Sequence, residues 1–568
     1  MIFNRYYIYA LERVHYKYKT KISKYCTICI RCNIESVDVC DRSQNISESK
    51  QWRQNQTGIE NLTAFLHSCE KEALNNTKGL VICFCDDLYM LSLIFDKYKV
   101  IYNKFRRTTT EYVYIKYGQC LILQGSGTNE EIMQMHEAKI NECERSGVLG
   151  LTMAAEIRNR IHAAFLKSRW DNKKIARLYF EDVEVYQYIM HRMYRGGLCI
   201  ARTGEYIDVD MYDMDSAHIR HMLYQKFPTS KFEAVKCDSW EDAEQYKSSG
   251  YAVIVDATFS RIKSKIDSMG VESKATTDGI TLIDNTRHII KSDNMSVVLT
   301  DVDMDIYNMC YEWEACTINF CMIAKKNPLP AYLRNTVLEL YLDKADKKEK
   351  KVDYTHEKKR VNMAYGACST KFDCKNIDDG STVKEAYERH RNRSELSPLW
   401  SVWTAAYTRR EQIKLICCCV NSSDLLAVYG DTDSVYVHGD DADIAAISDA
   451  VYYTNRDIIM DNINAGLPQK LGTWEKKRAQ KLKIIGAKQY SYIDTDGNTV
   501  IKSAGIAKEA LEGVNYDEYC KGLTVKGARR HIEEVNDKYR YVLDDVTVGE
   551  GVKLDEMNYF INRMLNKY

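Results

Sequence analysis

Two aspartates, Asp431 and Asp433, stand two residues apart in the string LLAVYGDTDSVYVHG at 425–439. On extended backbone, residues i and i+2 project to the same side, so these carboxylates are expected to crowd one another. Burying such a pair is costly unless cations sit between the charges. Oxygen ligands with water and phosphate completing the shell suit Mg²⁺, with Mn²⁺ as a substitute. A third carboxylate is available in VDMYDMDSAHIRHM at 209–222, where Asp213 follows an alternating apolar run and Asp215 competes with it. A further group suited to polyphosphate lies in KKRVNMAYG at 358–366. There Lys358, Asn362 and Tyr365 recur at spacings of four and three, one face of a helix, and lysine is a compact charge for phosphate.

The elements that would hold these groups are legible. The apolar runs 425–429 and 435–437 flank a short polar turn containing Gly430, which reads as a β-hairpin. The run before Asp213 reads as another strand. The chain has 568 residues and is 45% hydrophobic, enough for several domains. Lys plus Arg (80) equals Asp plus Glu (80), so net charge argues for no partner. A local patch at 470–490 holds Lys470, Lys476, Lys477, Arg478, Lys481, Lys483 and Lys488 against Glu475, a balance of 7 − 1 = +6. Neither a secretory leader nor an apolar run long enough for a membrane span is recognisable, and no GxxxxGK or GxGxxG loop occurs. The reading is a soluble protein of a reducing compartment. Its Cys26, Cys29 and Cys32 are expected on strand positions rather than on a metal.

The string YGDTDS between two apolar strands resembles motif C of the family B DNA polymerases. DMDSAHI at 213–219 resembles motif A, with Asp213 in the metal-ligand place and Ser216 in the serine place; KKRVNMAYG resembles motif B. The three occur in the family order A, B, C. Tyr194-Arg195-Gly196-Gly197 is similar to the template-contacting YxGG, VWTAAYTRR at 402–410 to the primer-binding stretch with Arg409, and Lys488-Gln489-Tyr490 to KxY. The resemblance implies an α/β (α+β mixed) right-hand polymerase fold with an N-terminal RNase-H-like exonuclease-type domain. It implies two Mg²⁺ ions on Asp213 and Asp433 with Asp431 assisting. Lys358, Asn362, Tyr365, Ser216 and His218 would bind the nucleotide, and Tyr194, Gly196, Gly197, Arg409, Lys488 and Tyr490 the DNA. His218 stands where the family has a tyrosine that excludes a ribose 2′-hydroxyl.

The spacing between motifs resembles the small protein-primed branch. It implies an exonuclease-like domain at 1–189, palm at 190–225, a first insertion at 226–335, fingers at 336–370, a second insertion at 371–400, palm again at 401–508 and a thumb at 509–568. Partners implied are template and primer DNA, dNTPs and a terminal protein, for a monomer in a host cytoplasm replicating a phage or linear mobile element. In the N-terminal third the exonuclease carboxylates are degenerate. The first motif aligns with Ala10-Leu11-Glu12, the second puts Asp86 in an asparagine place and Met90 in an aspartate place, and the third keeps Asp182 with Leu178 where tyrosine is expected. A methyl group or thioether cannot replace a carboxylate on Mg²⁺, so proofreading is expected to be weak or absent. The alternatives are a DNA-binding relative with little catalysis and a polymerase of relaxed sugar selectivity.

Overall fold

The computed structural model describes residues 27–32, 36–41, 49–53, 55–77, 81–85, 88–100, 103–104, 114–117, 120–124, 153–266, 268–372, 381–419, 425–506, 508–535 and 538–549. Its contacts divide into two compact units. One comprises Met1–Asn159 with Lys526–Asp545, the other Arg160–Val525 with Val546–Tyr568.

The first unit is built on a mixed sheet. Strands β1 (Thr27–Cys32), β2 (Ser36–Asp41) and β3 (Ser49–Arg53) form an antiparallel meander. Then β4 (Val81–Cys85) pairs parallel to β1, and among β5 (Asn103–Lys104), β6 (Tyr114–Tyr117) and β7 (Cys120–Gln124) the last pairs parallel to β4. Parallel neighbours need a crossover, and the helix Gln56–Thr77 supplies the one between β3 and β4. Leu62, Leu66, Leu91, Ile94 and Phe95 are fully buried on the helices Gln56–Thr77 and Leu88–Lys97. The strand order is β3-β2-β1-β4-β7-β6-β5, with β1, β4 and β7 running parallel.

The first described strand, β1, reads TICIRC and contains no carboxylate. Glu12 and Asp86 fall outside the described residues. Met90 is fully buried in the helix Leu88–Lys97. Asp182 is not in this unit at all. It caps the helix Val183–Met193, accepting a hydrogen bond from the Glu184 N–H at 2.7 Å, a common task for aspartate at a helix start. That helix packs on a strand of the second unit.

The second unit carries two antiparallel sheets. Strands β8 (Cys199–Ala201) and β9 (Gly204–Met214) open the first. The chain then makes β10 (Lys226–Pro228), β11 (Glu233–Val235), β12 (Tyr251–Ser264), β13 (Thr276–Ile283), β14 (Ile289–Thr300), β15 (Tyr311–Glu312) and β16 (Ala315–Pro328), a sheet of its own. It returns to the first with β17 (Leu426–Asp431), β18 (Ser434–His438), β19 (Trp474–Gly486), β20 (Gln489–Asp494) and β21 (Thr499–Ser503). The order is β21-β20-β19-β9-β18-β17-β8, with β9 in the middle. Two further strands, Thr524–Val535 and Lys538–Thr547, pair as a hairpin.

One hydrophobic cluster joins Tyr212, Val435 and Trp474 of the central sheet to Val253, Val297 and Leu299 of the inserted sheet and to Ile413 of the helix Pro398–Cys418. The insertion is therefore packed into the core that supports β9 and β18. The helix Pro398–Cys418 is buried almost all round, as a helix apolar on every side must be. Among the described residues, no helix is long and apolar enough to cross a membrane.

Candidate active site

The three aspartates come from the two strand junctions foreseen. Asp213 is the last residue but one of β9, and its Cα pairs with Ser434 of β18. Asp431 ends β17 and Asp433 lies in the turn, where Thr432 takes a left-handed φ of 63°. The Met214 N–H donates to the Asp433 carbonyl at 2.9 Å, and the Asp433 N–H to the Asp431 carbonyl at 2.7 Å. These bonds fasten the hairpin tip to the end of β9 and bring Asp213 and Asp433 together.

Their charges interact. Burial pushes the Asp433 carboxyl up to about 7, with Asp213 the next cause. Burial also raises the Asp213 carboxyl, opposed by Lys358 and Lys477. Asp213 itself reaches solvent, so protein surrounds it without sealing it. An accessible carboxylate pair that disfavours its own ionisation fits divalent cations.

Asp431 is placed differently. Both its oxygens lie 2.7 Å from Lys488 Nζ. The expected trio is thus an Asp213–Asp433 pair with Asp431 turned to a lysine. Among the described residues, no three His, Cys, Asp or Glu side chains are arranged to hold a metal ion.

Asp215, the competitor of Asp213, is committed elsewhere. Its carboxylate accepts from Lys344 Nζ at 2.9 Å and from the Tyr341 hydroxyl at 3.0 Å, and the same ammonium donates to Ser216 Oγ at 2.6 Å. Lys348 joins Asp215 to Glu475. By composition alone the run DKADKKEKK at 343–351 reads as a charged, exposed helix. It is the end of the helix Ala331–Glu349, and Lys344 is buried there. Removing one member of a buried ion pair strands the other, at a cost of roughly 3 kcal/mol. Lys344→Met should lower unfolding stability by about that much in denaturant titrations, and Glu349→Ala on the same helix by far less.

The motif B helix forms as spaced, over Thr355–Cys368. Val361, Ala364 and Cys368 are buried, while Lys358 and Asn362 are exposed and Tyr365 is half-buried. The Tyr365 ring lies 4.2 Å from that of His218, tilted by 31°. Burial, then Arg409, holds His218 down to about 4, so the imidazole is neutral near pH 7. Ser216 precedes it with φ 53° and makes no side-chain cap of its helix.

The DNA-binding assignments divide. Gly196 and Gly197 are exposed and Tyr194 is half-exposed. A Cβ on Gly196 would meet nothing within 4 Å, but one on Gly197 would lie 2.2 Å from Thr432 Oγ1. The 194–197 segment is thus seated on the hairpin tip, where Thr432 N–H also donates to the Leu198 carbonyl at 2.8 Å. Arg409 does not face outward. It is buried, donating to the carbonyls of Arg195 (3.0 Å) and Gly196 (2.9 Å) and pairing with Asp303 at 2.6 Å. Tyr490 is also buried, its hydroxyl 3.0 Å from that of Tyr436 and its ring 4.6 Å from that of Tyr429. The basic patch is partly spent on neighbours. Lys476 and Arg478 meet Asp210, Lys483 meets Glu205 and Lys488 meets Asp431.

No protein-family model and no curated protein matches this sequence. Solved structures do. The phi29 DNA polymerase complexed with primer-template DNA is similar over 92% of this chain and 100% of that chain, with a TM-score of 0.62 at 13% identity. The same polymerase with primer-template DNA and incoming nucleotide substrates is similar over 92% and 99%, with a TM-score of 0.62 at 12% identity. The chain therefore has the fold of phi29 DNA polymerase, a right hand with an exonuclease-type domain.

Proposed function

We propose that this protein is a template-directed DNA polymerase that extends a 3′-hydroxyl with dNTPs. The observation that carries the reading is the meeting of Asp213 and Asp433 at the joined ends of β9 and the β17–β18 turn, on a fold whose solved relatives hold primer-template DNA. Two divalent ions on this pair would supply the charge stabilisation and hydroxyl activation that phosphoryl transfer needs. The remaining tasks fall to the chain. Lys358, on the exposed face of its helix, offers a charge to a triphosphate. Tyr365 and neutral His218, their rings stacked at a tilt, offer an aromatic surface for base and sugar. Asp431 and Lys488 hold one another beside the primer path, and the 194–197 segment lies against the catalytic turn.

The finer reading has the first nucleotide joined to a hydroxyl of a terminal protein, in a phage or linear mobile element replicated in a host cytoplasm. The length of chain between motifs A and B supports it. Proofreading is weak or absent on this reading, supported by a β1 strand without carboxylates and the buried Met90. The test is extension of a singly primed template with Mg²⁺ and four dNTPs, beside a lane without dNTPs. The primer should lengthen in the first and stay intact in the second. Folded protein that binds DNA and extends nothing, even with Mn²⁺, would sink the polymerase reading in favour of a binding-only relative.

His218 favours a second measurement. An imidazole is smaller than a phenol and leaves more room at a 2′-hydroxyl. Replacing His218 with Tyr should therefore tighten discrimination against ribonucleotides by about tenfold, read from the ratio of kcat/KM for dNTP and rNTP. An unchanged ratio would remove His218 from sugar selection.

A further inference from the structure

Two lysines outside every motif converge on the head of the 194–197 segment. Lys274 lies in the inserted stretch before β13, and its Nζ donates to the Tyr194 carbonyl at 2.7 Å. Lys371 follows the motif B helix, and its Nζ sits 3.5 Å from the centre of the Tyr194 ring. They are about a hundred residues apart in sequence and reach the same tyrosine from different elements.

The charges around them do not balance. Arg195 and Arg409 are buried beside this segment and are matched by two carboxylates, Glu272 (2.7 Å from Arg195) and Asp303 (2.6 Å from Arg409). Among the described residues that leaves four cations against two anions, 4 − 2 = +2, and the excess is Lys274 and Lys371. Among the described residues neither forms a salt bridge. Burial, and next the presence of Lys274, holds Lys371 down to about 8, and burial followed by Arg195 lowers Lys274. The fold thus holds two ammonium groups together at some cost, while keeping Lys274 exposed and Lys371 half-exposed. Beside them Gly196 is open to any approaching group.

We propose that Lys274 and Lys371 form a two-ammonium seat for one backbone phosphate of the nucleic-acid strand that passes over Gly196 and Gly197. A phosphodiester is the anion that fits, because it brings one negative charge that neutralises part of the excess and needs no base contact. The ring of Tyr194 fixes one ammonium by a cation–π contact and its carbonyl fixes the other, so the two donors are set before the strand arrives. The seat rests on the polymerase reading for the identity of its strand but not for its chemistry.

The test is equilibrium binding of a primed template by the full chain across a KCl series, comparing wild type with Lys274→Gln, Lys371→Gln and the double variant. Each phosphate contact contributes roughly 0.7–0.9 to the slope of log K against log salt. The double variant should lose about 1 from that slope and bind about tenfold more weakly at 0.15 M KCl, with kcat at saturating DNA unchanged. Should the double variant fold poorly, Lys274→Gln alone, at an exposed position, should still lower the slope. A slope unchanged in Lys274→Gln or in a folded double variant overturns the proposal, and a drop in thermal stability without a change in slope assigns the lysines to packing. A reduced slope in a protein that extends no primer would keep the seat and reject the polymerase; normal extension with an unchanged slope would do the reverse.

Discussion

Asp433→Ala should leave primer extension at about a thousandth of wild type or less, roughly 4 kcal/mol of transition-state stabilisation, while DNA affinity changes by no more than a few-fold. The carboxylate is one of the two that the sheet brings together, and Asp213 cannot hold the charge of two divalent ions alone. Asp431→Asn should be milder. Its oxygens are taken by Lys488, so its loss frees a lysine instead of removing a ligand. Single-turnover extension at saturating Mg²⁺ separates the cases: a rate in Asp431→Asn as low as in Asp433→Ala would restore Asp431 to the ligand set.

The same pair sets a pH dependence. The folded protein holds a proton on Asp433 up to about 7, whereas a carboxyl in the unfolded chain loses it near 4. A raised carboxyl favours the folded state fully below its unfolded value, and the contribution disappears as pH rises through about 7. Divalent ions reverse the preference, because binding requires the ionised form. Stabilisation by Mn²⁺, read as a shift in Tm, should therefore be small at pH 5.5 and grow up to about pH 7.5. Asp433→Asn should flatten that rise. A Tm shift in wild type that does not depend on pH would mean the ions bind elsewhere.

The hairpin, its two aspartates and the motif B helix were legible because each is local. A Gly-Asp-Thr-Asp turn between apolar strands and a 4–3 spacing on a helix are patterns of neighbours in sequence. What was not legible depends on partners far along the chain. Arg409 reads as a cation for DNA until Asp303, more than a hundred residues earlier, is found against it. Lys344 reads as part of a solvated run until Asp215 is found to hold it. Tyr490 was expected at a primer, but its alternate-residue position on β20 points it into a tyrosine cluster with Tyr429 and Tyr436. The N-terminal positions Ala10, Leu11, Glu12 and Asp86 lie outside the described residues. Asp182 shows a further hazard, a carboxylate at a plausible spacing that caps a helix.

Gly197→Ala should lower kcat by about a hundredfold while leaving the fold intact, the scale expected when catalytic groups are displaced by about 1 Å. The added Cβ would stand 2.2 Å from Thr432 Oγ1 and 2.7 Å from its Cβ and Cγ2. Thr432 cannot swing clear cheaply, because its Cβ is fixed to a backbone already at φ 63° and its N–H is tied to Leu198. The turn must therefore move, and with it the carboxylates of Asp431 and Asp433 on either side. Gly196→Ala is the control: a methyl there meets nothing, so any loss it causes reports on the approach of DNA and should fall on DNA affinity instead of on kcat. Thr432→Gly supplies the rescue. It removes all three clashing atoms and suits the left-handed φ, so Gly197→Ala with Thr432→Gly should recover most of the lost kcat. The coupling between the two positions would then be of the order of 2 kcal/mol in a double-mutant cycle. Additive losses in the double variant would show that Gly197 acts through the nucleic acid and not through the catalytic turn.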